Sequence, residues 1–221
     1  MPQTKPVRIT LPYLYQELLG AFNWDKGFMY TVKSLALRPG SAIRDYLLTD
    51  RSRYFNPVRF LLLTVAIATF LMVEGEFFDQ ALSNINEYNA GDQKSMAQRQ
   101  TRFAIYNEYQ NVFQLFGVPV FALFSWLFFR GSGYNYAEHL VANAFLSGEV
   151  AVVSILTLPV VYYYTEWYPV LFLTSSLYFV WGYVAWLREK SVWVSLIKAL
   201  AALIGASLVY ALLVWCFILL I

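Results

Sequence analysis

The run FLLLTVAIATFLMV, residues 60–73, contains no charged side chain. Asn56 before it is a good helix N-cap, and Pro57 suits a first helical turn, so the helix reads as residues 57–73. At 1.5 Å per residue it reaches about 25 Å, short but usable for a hydrocarbon layer of about 30 Å. Arg59 at its mouth can keep its charge at the interface on its methylene stem. Outward from this run, four more apolar helices are expected, at residues 112–129, 139–164, 169–187 and 199–221. The expected fold is all-α: a polytopic membrane protein with five transmembrane helices. Residues 1–56 form a basic cytoplasmic or interfacial segment of amphipathic helices, and residues 57–221 form the transmembrane domain.

Composition agrees with this reading. Apolar residues make up 59% of the 221 and charged residues 14%, against about 25% charged in soluble domains. The mean hydropathy is +0.49. A net charge of +2 is too small for a nucleic-acid binder. The single cysteine, Cys216, closes no internal disulfide and builds no Cys-rich zinc site. It reads as a small packing residue, since no histidine lies near it to activate a thiolate. The first 20 residues lack the apolar core of a signal peptide, so the first span is the expected targeting signal.

Lysine and arginine set the orientation. Lys5, Arg8, Lys26, Lys33, Arg38, Arg44, Arg51, Arg53 and Arg59 precede or open the first span, nine of the 16 basic residues. The connection 74–111 carries net −3. Arg130 marks the next turn, Glu166 the one after, and Arg188, Lys190 and Lys198 the last. Every alternate connection is basic, which predicts a cytoplasmic N-terminus and an external C-terminus. The acidic connection 74–111 becomes an external, partly helical excursion. An aromatic turn around Tyr162–Tyr164, Trp167 and Tyr168 falls at the outer interface.

Before the membrane, Leu11, Leu14, Tyr15, Leu18, Leu19 and Phe22 share one helical face, with Thr10 as a candidate cap. A second short helix follows Asp25, with Phe28, Val32 and Leu35 on one side, and Pro39–Gly40 is read as its stop. A third covers residues 41–49, with Ile43, Tyr46 and Leu47 on one side. Two arrangements fit: helices lying in the headgroup plane, or helices packed on the ends of the spans.

The run DKGFMYTVKSLALRPGSAIRDYLLTDRSRYFNPVRFLLL, residues 25–63, resembles the core of an uncharacterised bacterial membrane family, the domain of unknown function 3667. Asp25, Gly27, Phe28, Thr31, Leu37, Pro39, Gly40, Ile43, Arg44, Tyr46, Arg51, Tyr54, Asn56, Pro57 and Phe60 carry the resemblance, with a weaker echo in Glu138–His139. Family members often begin with a Cys-x-x-Cys zinc ribbon and carry further histidines after the Glu-His pair, and this chain has neither. The resemblance implies a multi-pass protein of the bacterial cytoplasmic membrane and supplies no activity.

Two sets of residues are candidates for a site. Arg38, Arg44, Arg51, Arg53 and Arg59 gather at the expected cytoplasmic headgroup level, where guanidinium forks suit lipid phosphates. The competing reading gives them only topology and helix-end duties. Glu149 lies ten residues past His139, about 15 Å along the third span, near mid-bilayer, with no Lys or Arg expected at that depth. An unpaired carboxylate there is costly, so Glu149 is expected to be neutral or hydrogen-bonded, as a relay or cation site or as a structural group. His139, Asn143, Ser147 and Ser154 form a separate polar stripe, lining a cavity or bonding between helices. Ala201, Ala202, Gly205 and Ala206 permit close approach of another helix, within the chain or from a second copy.

No GxSxG, P-loop, HExxH or GxGxxG motif occurs, no catalytic or metal-binding set emerges and no cofactor is expected. The reading is a non-enzymatic scaffold or accessory subunit with a cytoplasmic platform for lipid or a protein partner. The alternative is a small oligomeric transporter or channel-like protein using Glu149. Expected partners are membrane lipids, anionic ones included, with a protein partner or a homo-oligomer as further options and no nucleic acid.

Overall fold

A computed structural model describes residues 27–74, 93–163, 168–187, 189 and 191–220. Among these residues every regular element is helical. The helices are α1 (Met29–Leu37), α2 (Pro39–Leu48), α3 (Pro57–Glu74), α4 (Gln93–Phe128), α5 (Tyr136–Tyr163), α6 (Tyr168–Trp186) and α7 (Val192–Leu220), with short 3-10 turns at Arg51–Arg53 and Arg130–Ser132. The expected helix over residues 9–22, the acidic stretch 75–92 and the turn 164–167 lie outside the described residues.

Among the described residues, three helical stretches are long and apolar enough to cross a membrane: Arg51–Met72, Tyr136–Val160 and Val192–Leu220. The apolar part of α4, Val112–Phe128, is shorter. Residues 93–111, expected to lie in a connection, are the first half of the 36-residue α4.

α3 packs along α5, α4 lies between α5 and α7, and α6 rests on α5 and α7. α4 and α7 approach closely where Gly205 faces the Phe124 ring: a Cβ there would stand 2.6 Å from Phe124 Cε1. Ala199, Ala202 and Ala206 are buried on the same helix, so small residues of α7 serve packing within the chain. Cys216 is exposed rather than packed, which corrects its expected role.

Helix starts follow local chemistry. Asn56 Oδ1 accepts from the Val58 and Arg59 amides at 3.0 and 3.2 Å, capping α3 as expected. α5 opens with a reciprocal capping box: the Asn135 amide donates to Glu138 Oε2 at 2.8 Å, and the Glu138 amide to Asn135 Oδ1 at 3.0 Å. Glu138 of the Glu-His pair therefore terminates a helix, while His139 beside it turns inward.

α1 ends at Leu37, just before Pro39–Gly40 as expected, but the next helix starts at Pro39 rather than at residue 41. Arg38 breaks the helix at φ −152°, ψ 61°, and Pro39 opens α2 at once. Proline suits this place because its missing N–H has no intrahelical acceptor there. The resulting α1–α2 hairpin packs against α5 and α6. The hairpin thus rests on two long helices, one of which, α5, is a candidate span.

Its seam is aromatic. Tyr46 meets Phe145 edge-on at 5.0 Å, Phe28 meets Phe55 at 5.7 Å, and Phe60 lies 6.1 Å from Phe145. Phe60, Phe145, Ile43 and Leu35 are buried in one cluster with Tyr183 and Trp186.

Candidate functional site

The structure separates the five candidate arginines. The Arg44 Nη1 atom donates to the carbonyl oxygens of Ala185 at 2.6 Å and Trp186 at 3.1 Å, satisfying two of the last carbonyls of α6. Arg51 donates from Nε to the Tyr46 carbonyl at 3.3 Å, with its guanidinium 5.8 Å from the Tyr46 ring centroid. Arg38 is exposed at the break between α1 and α2. Arg53 and Arg59 come together. They line a groove of about 550 Å³ with Gly27, Tyr30, Ser52, Tyr54, Phe55 and Asn56.

Local structure fixes this groove. Thr31 Oγ1 donates to the Gly27 carbonyl at 2.7 Å and accepts from the Phe55 amide at 2.8 Å, tying the start of α1 to the segment before α3. Asp50 caps the 3-10 turn by accepting from the Ser52 amide and hydroxyl at 2.9 and 2.6 Å. These two bonds hold its carboxyl below its ordinary value, and Arg53 adds to the effect. Arg53 is bound to Asp50 through Nε at 3.0 Å. The Tyr30 phenol is also held below its ordinary value, first by its hydrogen bond with Tyr54 and further by Ser34, Arg38 and Arg53, against the opposing effect of burial.

The polar stripe of α5 is a buried cluster between helices. His139 Nδ1 is 2.9 Å from Ser125 Oγ on α4, and Asn143 Nδ2 donates to Ser125 Oγ at 3.1 Å and to the His139 carbonyl at 2.8 Å. Tyr183 of α6 donates to Asn143 Oδ1 at 2.6 Å. Ser125 in turn donates to the Ala122 carbonyl at 3.0 Å. If its single hydroxyl proton goes there, His139 carries its proton on Nδ1 and presents Nε2 as an acceptor. Neither His139 Nε2 nor Trp186 Nε1 has a hydrogen-bond partner, although the two rings lie 4.8 Å apart. Ser147 is buried nearby on α5, and Ser154 bonds back to its own helix at Val150.

Glu149 is not part of this cluster. It is 1% exposed, and its Oε2 has no hydrogen-bond partner. It lies close enough to Tyr178 of α6 for the two to interact electrostatically. Tyr178 donates to the Leu35 carbonyl of α1 at 3.2 Å. Among the described residues no Lys or Arg is ion-paired with Glu149; Lys198 pairs instead with Glu189 at 2.5 Å.

Sequence reasoning did not identify Ser125, Tyr183, Trp186 or Tyr178, whose partners lie on other helices. It also missed Tyr30 and Ser52 of the groove. Arginine with serine and tyrosine around Asn56 was the only signal available for those two.

A family profile described as "Protein of unknown function (DUF3667)" matches residues 25–69. No curated protein and no solved structure matches the chain. The matched segment contains α1, α2 and the first 13 of the 18 residues of α3. Its motif residues have structural duties in this fold: Thr31 ties, Gly40 and Arg44 dock, Asn56 caps and Phe60 packs.

Proposed function

We propose that the chain is a five-span integral membrane protein, a non-enzymatic scaffold or accessory subunit whose cytoplasmic platform binds lipid and docks a partner. Its residence in a bacterial cytoplasmic membrane rests on the family resemblance. Five spans follow if α4 and α6 cross together with the three long apolar stretches. α6 supports this: its 19 residues contain no charged side chain and extend about 28 Å. The basic N-terminal flank supports an N-in, C-out orientation. One observation carries the platform reading, namely the α1–α2 hairpin fastened to α6 through Arg44. A fixed hairpin can present Arg38, Arg51, Arg53 and Arg59 to anionic headgroups as a shaped surface. Each basic group near an anionic leaflet is worth about 1 kcal/mol. Purification in native lipid particles, with identification of co-purifying lipids and proteins, tests this. Anionic lipid enrichment with a stoichiometric protein partner supports it. A neutral lipid profile with no partner refutes it.

A second reading is supported by the buried, unpartnered Glu149 Oε2: a small oligomeric transporter or channel-like protein using this carboxyl, with His139, Asn143 and Ser147 lining its path. Gly148 faces Phe60 and Thr64 of α3, and Thr64 is seven residues beyond Pro57. Counted along α3 from Asn56 and Arg59 at the headgroup level, this depth is about 10 Å, against about 15 Å for Glu149 counted along α5 from His139.

A further inference from the structure

We infer that the groove between Arg53 and Arg59 is a binding site for the phosphate of one membrane lipid, whose acyl chain lies along the outer face of α3. This deepens the platform reading, and rests on it, by selecting two of its arginines and naming the group they take. The groove walls supply the chemistry of a phosphate site. Arg53 and Arg59 bring two guanidinium groups, and the Tyr30 hydroxyl lines the same groove. No side-chain partner of Arg59 occurs among the described residues, and Arg53 is 70% exposed while it holds Asp50 through Nε alone. Arg44 and Arg51, in contrast, are engaged by backbone carbonyls. Guanidinium groups match phosphate oxygens in pairs, and the shape of the groove is preset by the Thr31 and Asp50 bonds.

The lipid source, rather than a soluble phosphate, follows from what lies beside the groove. Val58, Leu62, Ala66 and Phe70 recur every fourth residue on α3, all exposed, the three large ones at 57%, 47% and 63%. This stripe begins next to Arg59 and continues away from the groove for three turns. A phosphate held at Arg59 with a chain on this stripe is the geometry of a lipid standing in its own leaflet.

The test uses the full chain purified in a neutral detergent. Thermal stability is followed against dioctanoyl-phosphatidic acid, dioctanoyl-phosphatidylcholine and inorganic phosphate. Stabilisation by phosphatidic acid alone is expected, with R53Q and R59Q each weakening it about tenfold, as loss of a charge-assisted bond implies. R38Q and R51Q, platform arginines outside the groove, should weaken it less than either, and L62N, on the chain stripe, should weaken the lipid response without touching the arginines. Equal losses for all four arginine variants overturn the groove and leave a general electrostatic platform. An equal response to inorganic phosphate overturns the lipid source. No response to any anionic probe overturns both the groove and the lipid arm of the platform. A circular-dichroism check keeps a misfolded variant out of the comparison, and R53K and R59K serve as conservative replacements that keep the charge but lose the fork.

Discussion

Gly40 of α2 lies against the backbone of Ala185 in α6 so closely that a Cβ at position 40 would stand 2.2 Å from the Ala185 carbonyl carbon. Backbone, unlike a flexible side chain, cannot move aside. Gly40→Ala should therefore separate the hairpin from α6 and lower stability by about 1–3 kcal/mol, the usual range for overpacking. Thermal unfolding in detergent measures the loss, and proteolysis within residues 38–50 should accelerate. An unchanged melting curve would contradict the contact.

Arg44 should rank beside Gly40. Replacing it with Met keeps most of the stem but leaves the Ala185 and Trp186 carbonyls without their donor. The expected loss is about 1–3 kcal/mol. Arg44→Lys should recover part of it, because an ammonium can still donate to these carbonyls but loses the second guanidinium nitrogen, which reaches Ser41 Oγ. Full recovery by Lys would mean that charge alone matters there.

Tyr183→Phe removes one hydroxyl and leaves Asn143 Oδ1 buried without its 2.6 Å donor. A loss of about 1–3 kcal/mol is expected. The double variant Tyr183→Phe with Asn143→Leu should lose less than the sum of the single changes, since both partners then go together. Strict additivity would show that the bond contributes nothing.

Glu149 separates the two functional readings. Glu149→Gln keeps shape and hydrogen bonding but cannot exchange a proton. A structural role predicts near wild-type stability and full complementation of a deletion phenotype. The transport reading predicts normal folding with lost complementation. Glu149→Leu should perturb packing around Tyr178 under either.

The proposed topology is read directly by reporter fusions at Gly131, Trp167, Lys190 and the C-terminus. They should report inside, outside, inside, outside. A cytoplasmic C-terminal reporter would remove one span from the proposal.

What the sequence disclosed was the short-range part. Apolar runs marked the helices, and Asn56 and Pro57 marked the start of α3, because caps and propensities act within a few residues. Pro39–Gly40 was legible only in part for a related reason. The pair marked the end of α1, but Pro39 also begins the next helix, and Gly40 is small because α6 passes beside it. Nothing within ten residues of Gly40 encodes that contact. Five arginines looked alike in the chain, and only their distant partners separate Arg44, bound to α6, from Arg53 and Arg59 in the groove. His139 was noticed for its type, whereas its partner Ser125 lies on another helix.

The Arg44–Ala185 bond joins residues 141 positions apart, which at ribosomal rates of about 5–20 residues per second is roughly 7–30 s of synthesis. The hairpin leaves the ribosome before α6 and must wait for it. During that interval Ile43, Leu35 and Phe28 have no bundle to cover them. The nascent chain therefore passes through a stage at which chaperones or the leaflet itself must shelter the hairpin, and docking on α6 ends that stage.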